Sequence, residues 1–182
     1  MSEALRIESV TRLLDSYVFN VERRRIRQGD ATFDRDVVTH PGGVAILVRD
    51  HEGRIGVLRQ WRSAFGAFLW EIPAGTQDVE DEDPLTTAKR ELREELGCEA
   101  TTWTELGRFM VSSGWTDQVM TIFEAVGITI IERAPEGPEE MSSEVHWFTP
   151  DALRQTLRGE PAIESTMAVA LNRVFGTFFD HA

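Results

Sequence analysis

Three carboxylates crowd the segment Arg90-Glu91-Leu92-Arg93-Glu94-Glu95-Leu96-Gly97. Glu91, Glu94 and Glu95 are spaced i, i+3 and i+4, which puts side chains on one face of a helix. Like charges so placed cost an isolated helix about 0.2–0.5 kcal/mol per pair, and a nearby cation would offset that cost. A set of oxygen donors favours a hard divalent ion such as Mg²⁺, with Mn²⁺ as a substitute. The chemistry such a face could do is metal-assisted.

The surrounding residues supply the helix that would carry this face. Asp83 is placed to cap its N-terminus, and Pro84 fills the first helical position, where a missing N–H costs nothing. Asp81, Glu82 and Asp83 lie at the positive end of the helix dipole. Leu85, Ala88, Leu92 and Leu96 form a narrow apolar stripe for the core, and Gly97 supplies a left-handed stop. The acidic face is thereby expected to point away from the core. Upstream, Leu69-Trp70-Glu71-Ile72-Pro73-Ala74-Gly75 reads as a short strand ending in a Pro/Gly turn. Strand, loop and helix would bring Glu71, the Ala74–Gly75 backbone and the carboxylates together. A Glu/Arg-rich helix is more often a solvated face. The ordered set of Gly75, Glu82, Arg90-Glu91, Glu94-Glu95 and Gly97 favours a site instead.

Composition narrows the function. The chain has 182 residues, the size of one compact domain, and a formal net charge of −12. That charge argues against binding a nucleic-acid backbone. An anionic small substrate would need local Arg residues or metal ions. Cys98 is the single cysteine, so no intrachain disulfide forms; it reads as a small buried apolar residue in a reducing compartment. No apolar run reaches membrane-spanning length, and the N-terminus lacks a signal-peptide pattern. The expectation is a cytoplasmic protein without a membrane partner.

Read along the chain, strand patterns fall near 5–14, 16–27, 31–39, 42–48 and 54–62, the last two as a hairpin. Glu105–Val111 and Val119–Val126 are further expected strands, flanking Ser112–Gln118. Residues 132–143 form an acidic loop, followed by a strand over Glu144–Phe148. Asp151 is expected to cap a helix to about Arg158, and Glu164–Phe179 to form a last amphipathic helix.

The segment from Gly75 to Cys98 resembles the signature of the Nudix hydrolases, G-x5-E-x7-R-E-U-x-E-E-x-G-U with U a bulky apolar residue. One extra residue stands between Gly75 and Glu82, and Cys98 takes a place where a larger aliphatic is common. The box covers about an eighth of the chain. The N-terminal strands, VVTHPGGVAILV, RQWR and LWEIPAG are similar to the branch containing ADP-ribose pyrophosphatases and nucleoside diphosphate sugar hydrolases. The resemblance implies an α+β fold: a Nudix-type α/β/α sandwich with a mixed sheet over 41–182. An antiparallel strand subdomain at 1–40, exchanged in a homodimer, would precede it.

The resemblance also implies roles. Glu91 and Glu95 are the principal metal ligands, Glu94 bridges or binds a further ion, and the Ala74 carbonyl completes the set. Arg90 orients carboxylates, and Glu82 pairs with Arg90. The general base comes from the acidic loop of Glu136, Glu139, Glu140 and Glu144, with Glu140 the choice. Arg62 and, across a dimer, Arg35 would bind a nucleotide; either could be an ordinary surface Arg. Glu71 binds water or supports the site, or is a surface carboxylate at a strand end. Trp115 stacks a base or packs a core. The substrate class is a small nucleotide whose pyrophosphate is hydrolysed, with ADP-ribose first. Ser113 stands where ADP-ribose pyrophosphatases typically carry Pro, which leaves GDP-mannose and UDP-sugars open, and a noncatalytic nucleotide-sugar sensor is the alternative of a different class.

Overall fold

A computed structural model of the chain describes residues 4–135 and 137–179. The described residues fall into two units, 4–42 with 110–119 and 43–109 with 120–179.

The first unit is an antiparallel sheet of β1 (Arg6–Asp15), β2 (Asn20–Gln28) and β3 (Ala31–Thr39), in that order. The basic run on β2 faces acidic partners. Arg23 lies opposite Asp36 and Arg25 opposite Asp34, bonded at 2.7 and 3.0 Å, and Arg27 reaches Glu8 at 2.8 Å. This is a ladder of cross-strand ion pairs, each weak at an exposed site. All ten residues of β1 are exposed, Ile7, Val10, Leu13 and Leu14 among them. Asp117 joins the 110–119 segment to this sheet, accepting from Arg24 at 3.3 Å and from the His40 N–H at 3.0 Å.

The second unit is built on a mixed sheet with order β10-β5-β4-β9-β8. Its strands are β4 (Gly43–Arg49), β5 (Ile55–Arg62), β8 (Cys98–Met110), β9 (Val119–Ile130) and β10 (Glu144–Phe148). β6 (Ala67–Glu71) pairs with β5, and β7 (Ala74–Thr76) pairs with β4. The parallel pair β4–β9 makes the sheet mixed. Strand alternation splits β4 between two cores. Ala45 and Leu47 pack with Leu153, Leu157, Met167 and Leu171, from α3 (Pro150–Arg158) and α4 (Ser165–Phe175). Val44, Ile46 and Val48 pack with Ala88, Leu92 and Leu96 on the opposite face. The result is the expected α/β/α sandwich.

The box helix starts as anticipated. In α1 (Pro84–Glu91) the Asp83 carboxylate accepts from the Leu85 and Thr86 N–H groups at 3.0 and 3.2 Å. It continues into a π-helical turn, Leu92–Leu96, that ends on Gly97 with φ 62°. Leu85 packs at the margin of the stripe and the other three members are buried.

Several local expectations need correction. Thr149, not Asp151, caps α3: Pro150 takes the first helical position and holds the preceding residue extended, leaving the Thr149 hydroxyl to accept from Ala152 at 3.3 Å. The last helix stops at Phe175 rather than Phe179, because Gly176 at φ 73° ends it. β8 begins at Cys98, seven residues before the expected Glu105, directly after the Gly97 turn. The acidic loop contains a short helix, α2 (Gly137–Met141). The acidic face of the box helix is also not left to solvent: Glu91 and Glu95 are buried.

Candidate active site

The site forms where β7 passes the box helix. The Ile46 N–H donates to the Pro73 carbonyl at 2.8 Å, fixing the Pro/Gly turn on β4. From there the Ala74 N–H donates to Glu95 Oε2 at 2.8 Å. Gly75 lies directly under the Glu91 side chain. A Cβ built on Gly75 would stand 2.0 Å from Glu91 Cδ and 2.1 Å from Oε1. The Gly-Glu spacing of the box is therefore a steric requirement: only a residue without a side chain lets this carboxylate settle against the turn.

Arg90 gathers the charges. Its Nη1 donates to Glu91 Oε1 at 2.7 Å and to Glu94 Oε2 at 3.3 Å, while Nη2 reaches Glu82 Oε2 at 3.4 Å. Glu82 is itself held by the buried Thr87 hydroxyl at 2.8 Å. This contact favours Glu82 over Asp81 as the acidic partner, and the residue inserted after Gly75 is absorbed in the loop, where Asp81 adopts φ 63°. One guanidinium thus hydrogen-bonds three carboxylates and offsets the repulsion between Glu91 and Glu94, which the helix spaces together.

Burial raises the affinity of the two innermost carboxyls for protons. Glu91 is pushed up from 4.5 to about 7, by desolvation first and then by the charges of Glu94 and Glu140 against the pull of Arg90. Glu95 rises well above the ordinary carboxylate range, again by desolvation first, with Glu91 and Glu140 adding to it. The Ala74 N–H and Arg62 oppose that rise without cancelling it. Two buried carboxyls, the nearby Glu94 and a turn of backbone are oxygen donors of the type a hard divalent cation takes. Among the described residues, no group of three or more His, Cys, Asp or Glu is gathered tightly enough to hold a metal ion.

Arg62 and Glu71 come together on the neighbouring strands. Arg62 Nε lies 2.9 and 3.0 Å from the two Glu71 oxygens, and Nη2 lies 2.5 Å from Oε2. Glu71 is 5 % exposed, so it is no surface carboxylate. The bond to Glu71 and the charges of Glu71, Glu95 and Glu139 hold the Arg62 guanidinium above its usual value despite burial.

Of the acidic-loop residues, half-buried Glu140 is the one whose charge acts on both Glu91 and Glu95. Glu139 acts on Arg62, and Glu144 pairs with His146 at 3.2 Å on β10. Glu136 lies outside the described residues. Arg35 and Trp115 belong to the first unit. Arg35 bonds the Asp34 carbonyl at 2.8 Å and stacks on Phe33, and the Trp115 carbonyl accepts from the Val38 N–H at 2.8 Å. Sequence reasoning missed Arg133, which bonds the loop carrying Glu140. Its signal was that it is the single cation in an otherwise acidic stretch, 132–143.

Residues 39–168 match the model of the NUDIX domain family. The chain belongs to the Nudix family. This Nudix protein is 37% identical over 155 residues to an ADP-ribose pyrophosphatase of Mycobacterium tuberculosis (strain ATCC 25618 / H37Rv), covering 84% of this chain and 74% of that one. It is 36% identical over 144 residues to an ADP-ribose pyrophosphatase of Bacillus subtilis (strain 168), covering 79% and 75%. It is also 32% identical over 142 residues to a methanol dehydrogenase activator of Bacillus methanolicus, covering 77% and 75%. A solved structure of an ADP compounds hydrolase shares the fold, with a TM-score of 0.79 at 18% identity, over 95% of this chain and 93% of that one. The chain is a Nudix pyrophosphohydrolase of the branch that contains the ADP-ribose pyrophosphatases. No helix among the described residues is long and apolar enough to cross a membrane.

Proposed function

We propose that this enzyme hydrolyses the pyrophosphate bond of ADP-ribose to AMP and ribose 5-phosphate, with Mg²⁺ as cofactor and Mn²⁺ as a substitute. The observation that carries the reading is the burial of Glu91 and Glu95 against the Ala74–Gly75 turn, with Glu140 acting on both. The two ADP-ribose pyrophosphatases at 36–37% identity support the choice of substrate.

In this reading Glu91, Glu95, Glu94 and the Ala74 carbonyl would hold the metal, the three carboxylates closing on it from the wider spacing they show here. When bound, Mg²⁺ neutralises charge on the two phosphoryl groups and makes water more acidic. Arg90, pinned by Glu82, keeps the Glu91 and Glu94 carboxylates in place. Glu140 takes a proton from the attacking water, whose oxygen bonds to phosphorus as the bridging P–O bond breaks. General-base assistance of this kind is worth about 10²–10⁴ in rate. Arg62, with Nη1 outside its bonds to Glu71, binds a phosphate oxygen. Glu71 holds that guanidinium in place. Arg35, across a dimer, and Trp115 would be the further nucleotide contacts.

The fully exposed strand β1, which leaves Ile7, Val10, Leu13 and Leu14 uncovered, supports a homodimer in which the strands of residues 1–40 exchange between subunits. The net charge of −12 disfavours a nucleic-acid partner, and the single cysteine suits the cytoplasm. A second reading, hydrolysis of another nucleoside diphosphate sugar, is favoured by Ser113 in place of the usual Pro.

The test is product analysis with ADP-ribose, GDP-mannose and UDP-glucose in Mg²⁺ or Mn²⁺. Faster release of AMP and ribose 5-phosphate from ADP-ribose supports the proposal. Preference for another sugar nucleotide would move it to the second reading, and binding without phosphate release from any of the three would sink hydrolysis.

A further inference from the structure

The end of the box helix touches the chain that leads to Glu140. Gly97 accepts from the Ile131 N–H at 2.8 Å. A Cβ on Gly97 would stand 2.9 Å from the Ile131 carbonyl oxygen, 3.1 Å from Arg133 N and 3.2 Å from Arg133 Cα. Those neighbours are backbone and cannot swing aside. Gly97 therefore does two things: its left-handed conformation ends the helix, and its missing side chain lets residues 131–133 pass directly over that end.

From this contact Arg133 reaches across the loop. Nη2 donates to the Glu140 carbonyl at 3.0 Å and to Ser143 Oγ at 2.5 Å, and Nη1 donates to the Ser143 carbonyl at 3.0 Å. Buried Ser143 closes the same knot, its hydroxyl donating to the Glu140 carbonyl at 2.8 Å and its N–H at 3.1 Å. The Glu140 carbonyl thus receives three donors, an unusual concentration on one backbone group. Arg133 Nε is left buried without a partner among the described residues. An isolated buried N–H of this kind is unfavourable, and the arrangement keeps it while committing both terminal nitrogens to the loop.

We propose that Arg133 is a positioning residue for hydrolysis, fixing the Glu140 backbone relative to the end of the helix that carries Glu91 and Glu95. The inference rests on the reading of Glu140 as the general base and deepens it. The path runs from the helix through Gly97 to residues 131–133, and through the guanidinium to Glu140. α2, only five residues long, cannot hold Glu140 in place by its own helical bonds. Lysine in place of Arg133 would keep the charge but lose the fork that spans three acceptors.

The test is a double-mutant cycle on the full-length enzyme in saturating Mg²⁺, using Arg133→Ala, Glu140→Gln and the pair, with ADP-ribose. If Arg133 acts through Glu140, Arg133→Ala should lower kcat by about 10–100-fold while KM and the Mg²⁺ activation midpoint stay near wild type. In the Glu140→Gln background the same change should cost less than about 3-fold. Arg133→Lys should recover only part of the loss, and added guanidinium chloride at millimolar levels should partly rescue Arg133→Ala. Should Arg133→Ala fail to fold, Ser143→Ala and Arg133→Lys run the same cycle, with smaller expected losses.

A near-normal kcat for the Arg133 variants, or losses that multiply in the double mutant, would overturn the positioning role and leave the Glu140 reading standing. A Glu140→Gln enzyme with normal kcat would overturn both, and is recognised by that single variant.

Discussion

Glu91 should make the metal-free protein less stable as the pH rises. Its folded-state value of about 7 stands above the ordinary 4.5 because the carboxylate is buried. Below pH 4.5 the carboxyl is protonated in both folded and unfolded chains. Between 4.5 and 7 the unfolded chain releases the proton while the folded one keeps it, so stability falls with pH across this window and levels off above it. A rise of that size corresponds to about 3 kcal/mol. Asp34, Asp36, Asp50 and Asp83 are held below their usual values and work in the opposite direction at lower pH. The informative quantity is therefore the difference between wild type and Glu91→Gln, measured by thermal melts from pH 4.5 to 8 in EDTA. For a chain of this length 1 kcal/mol moves Tm by about 2–4 °C. The variant should thus gain roughly 6–12 °C on wild type between the two ends of the range. Saturating Mg²⁺ at pH 8 should raise the wild-type Tm and leave the variant much less affected, narrowing the gap. A difference that stays flat from pH 4.5 to 8 in EDTA would refute the desolvation argument for this carboxyl.

Other expectations follow from particular contacts. Gly75→Ala places a Cβ against the Glu91 carboxylate and should lower kcat by about 10²-fold with little change in Tm, as steady-state kinetics beside a melting curve would report. Glu71→Gln weakens the pairing of Arg62 and should cost about 1–3 kcal/mol in urea unfolding, a loss much smaller in an Arg62→Met background. Asp83→Ala removes the helix cap and should cost about 1 kcal/mol, close to 2–4 °C in Tm. For the proposed homodimer, replacing both Ile7 and Val10 by Ser on the exposed strand should shift the protein toward a monomer in light scattering; a dimer unchanged by the replacement would remove β1 from the interface.

The box was legible because its determinants are local. Asp83, Pro84, Gly97 and the stripe of Leu85, Ala88, Leu92 and Leu96 act through the nearest turns of one helix, and all perform as their spacing implies. Burial of Glu91 and Glu95 was not legible, since β7 covers them through a pairing with β4 that lies about thirty residues away in sequence. For Glu71 the sequence leaves a site role and a strand-end surface group both open, because its partner, Arg62, sits on the adjacent strand. The π-helical turn over Leu92–Leu96 has no signal in residue type. Asp151 is the stronger capping type in isolation, yet Pro150 decides the frame and makes Thr149 the cap. The role of Arg133 depends on the close approach at Gly97, a contact across 34–36 residues that spacing does not reveal.

The most direct measurement is the rate at which wild type and Glu95→Gln release AMP and ribose 5-phosphate from ADP-ribose in saturating Mg²⁺. Equimolar products are expected from the wild type and a loss of at least about 10²-fold in the variant, with the fold intact by circular dichroism. A wild type that leaves ADP-ribose uncut, or a Glu95→Gln enzyme close to normal, would contradict the proposed hydrolysis.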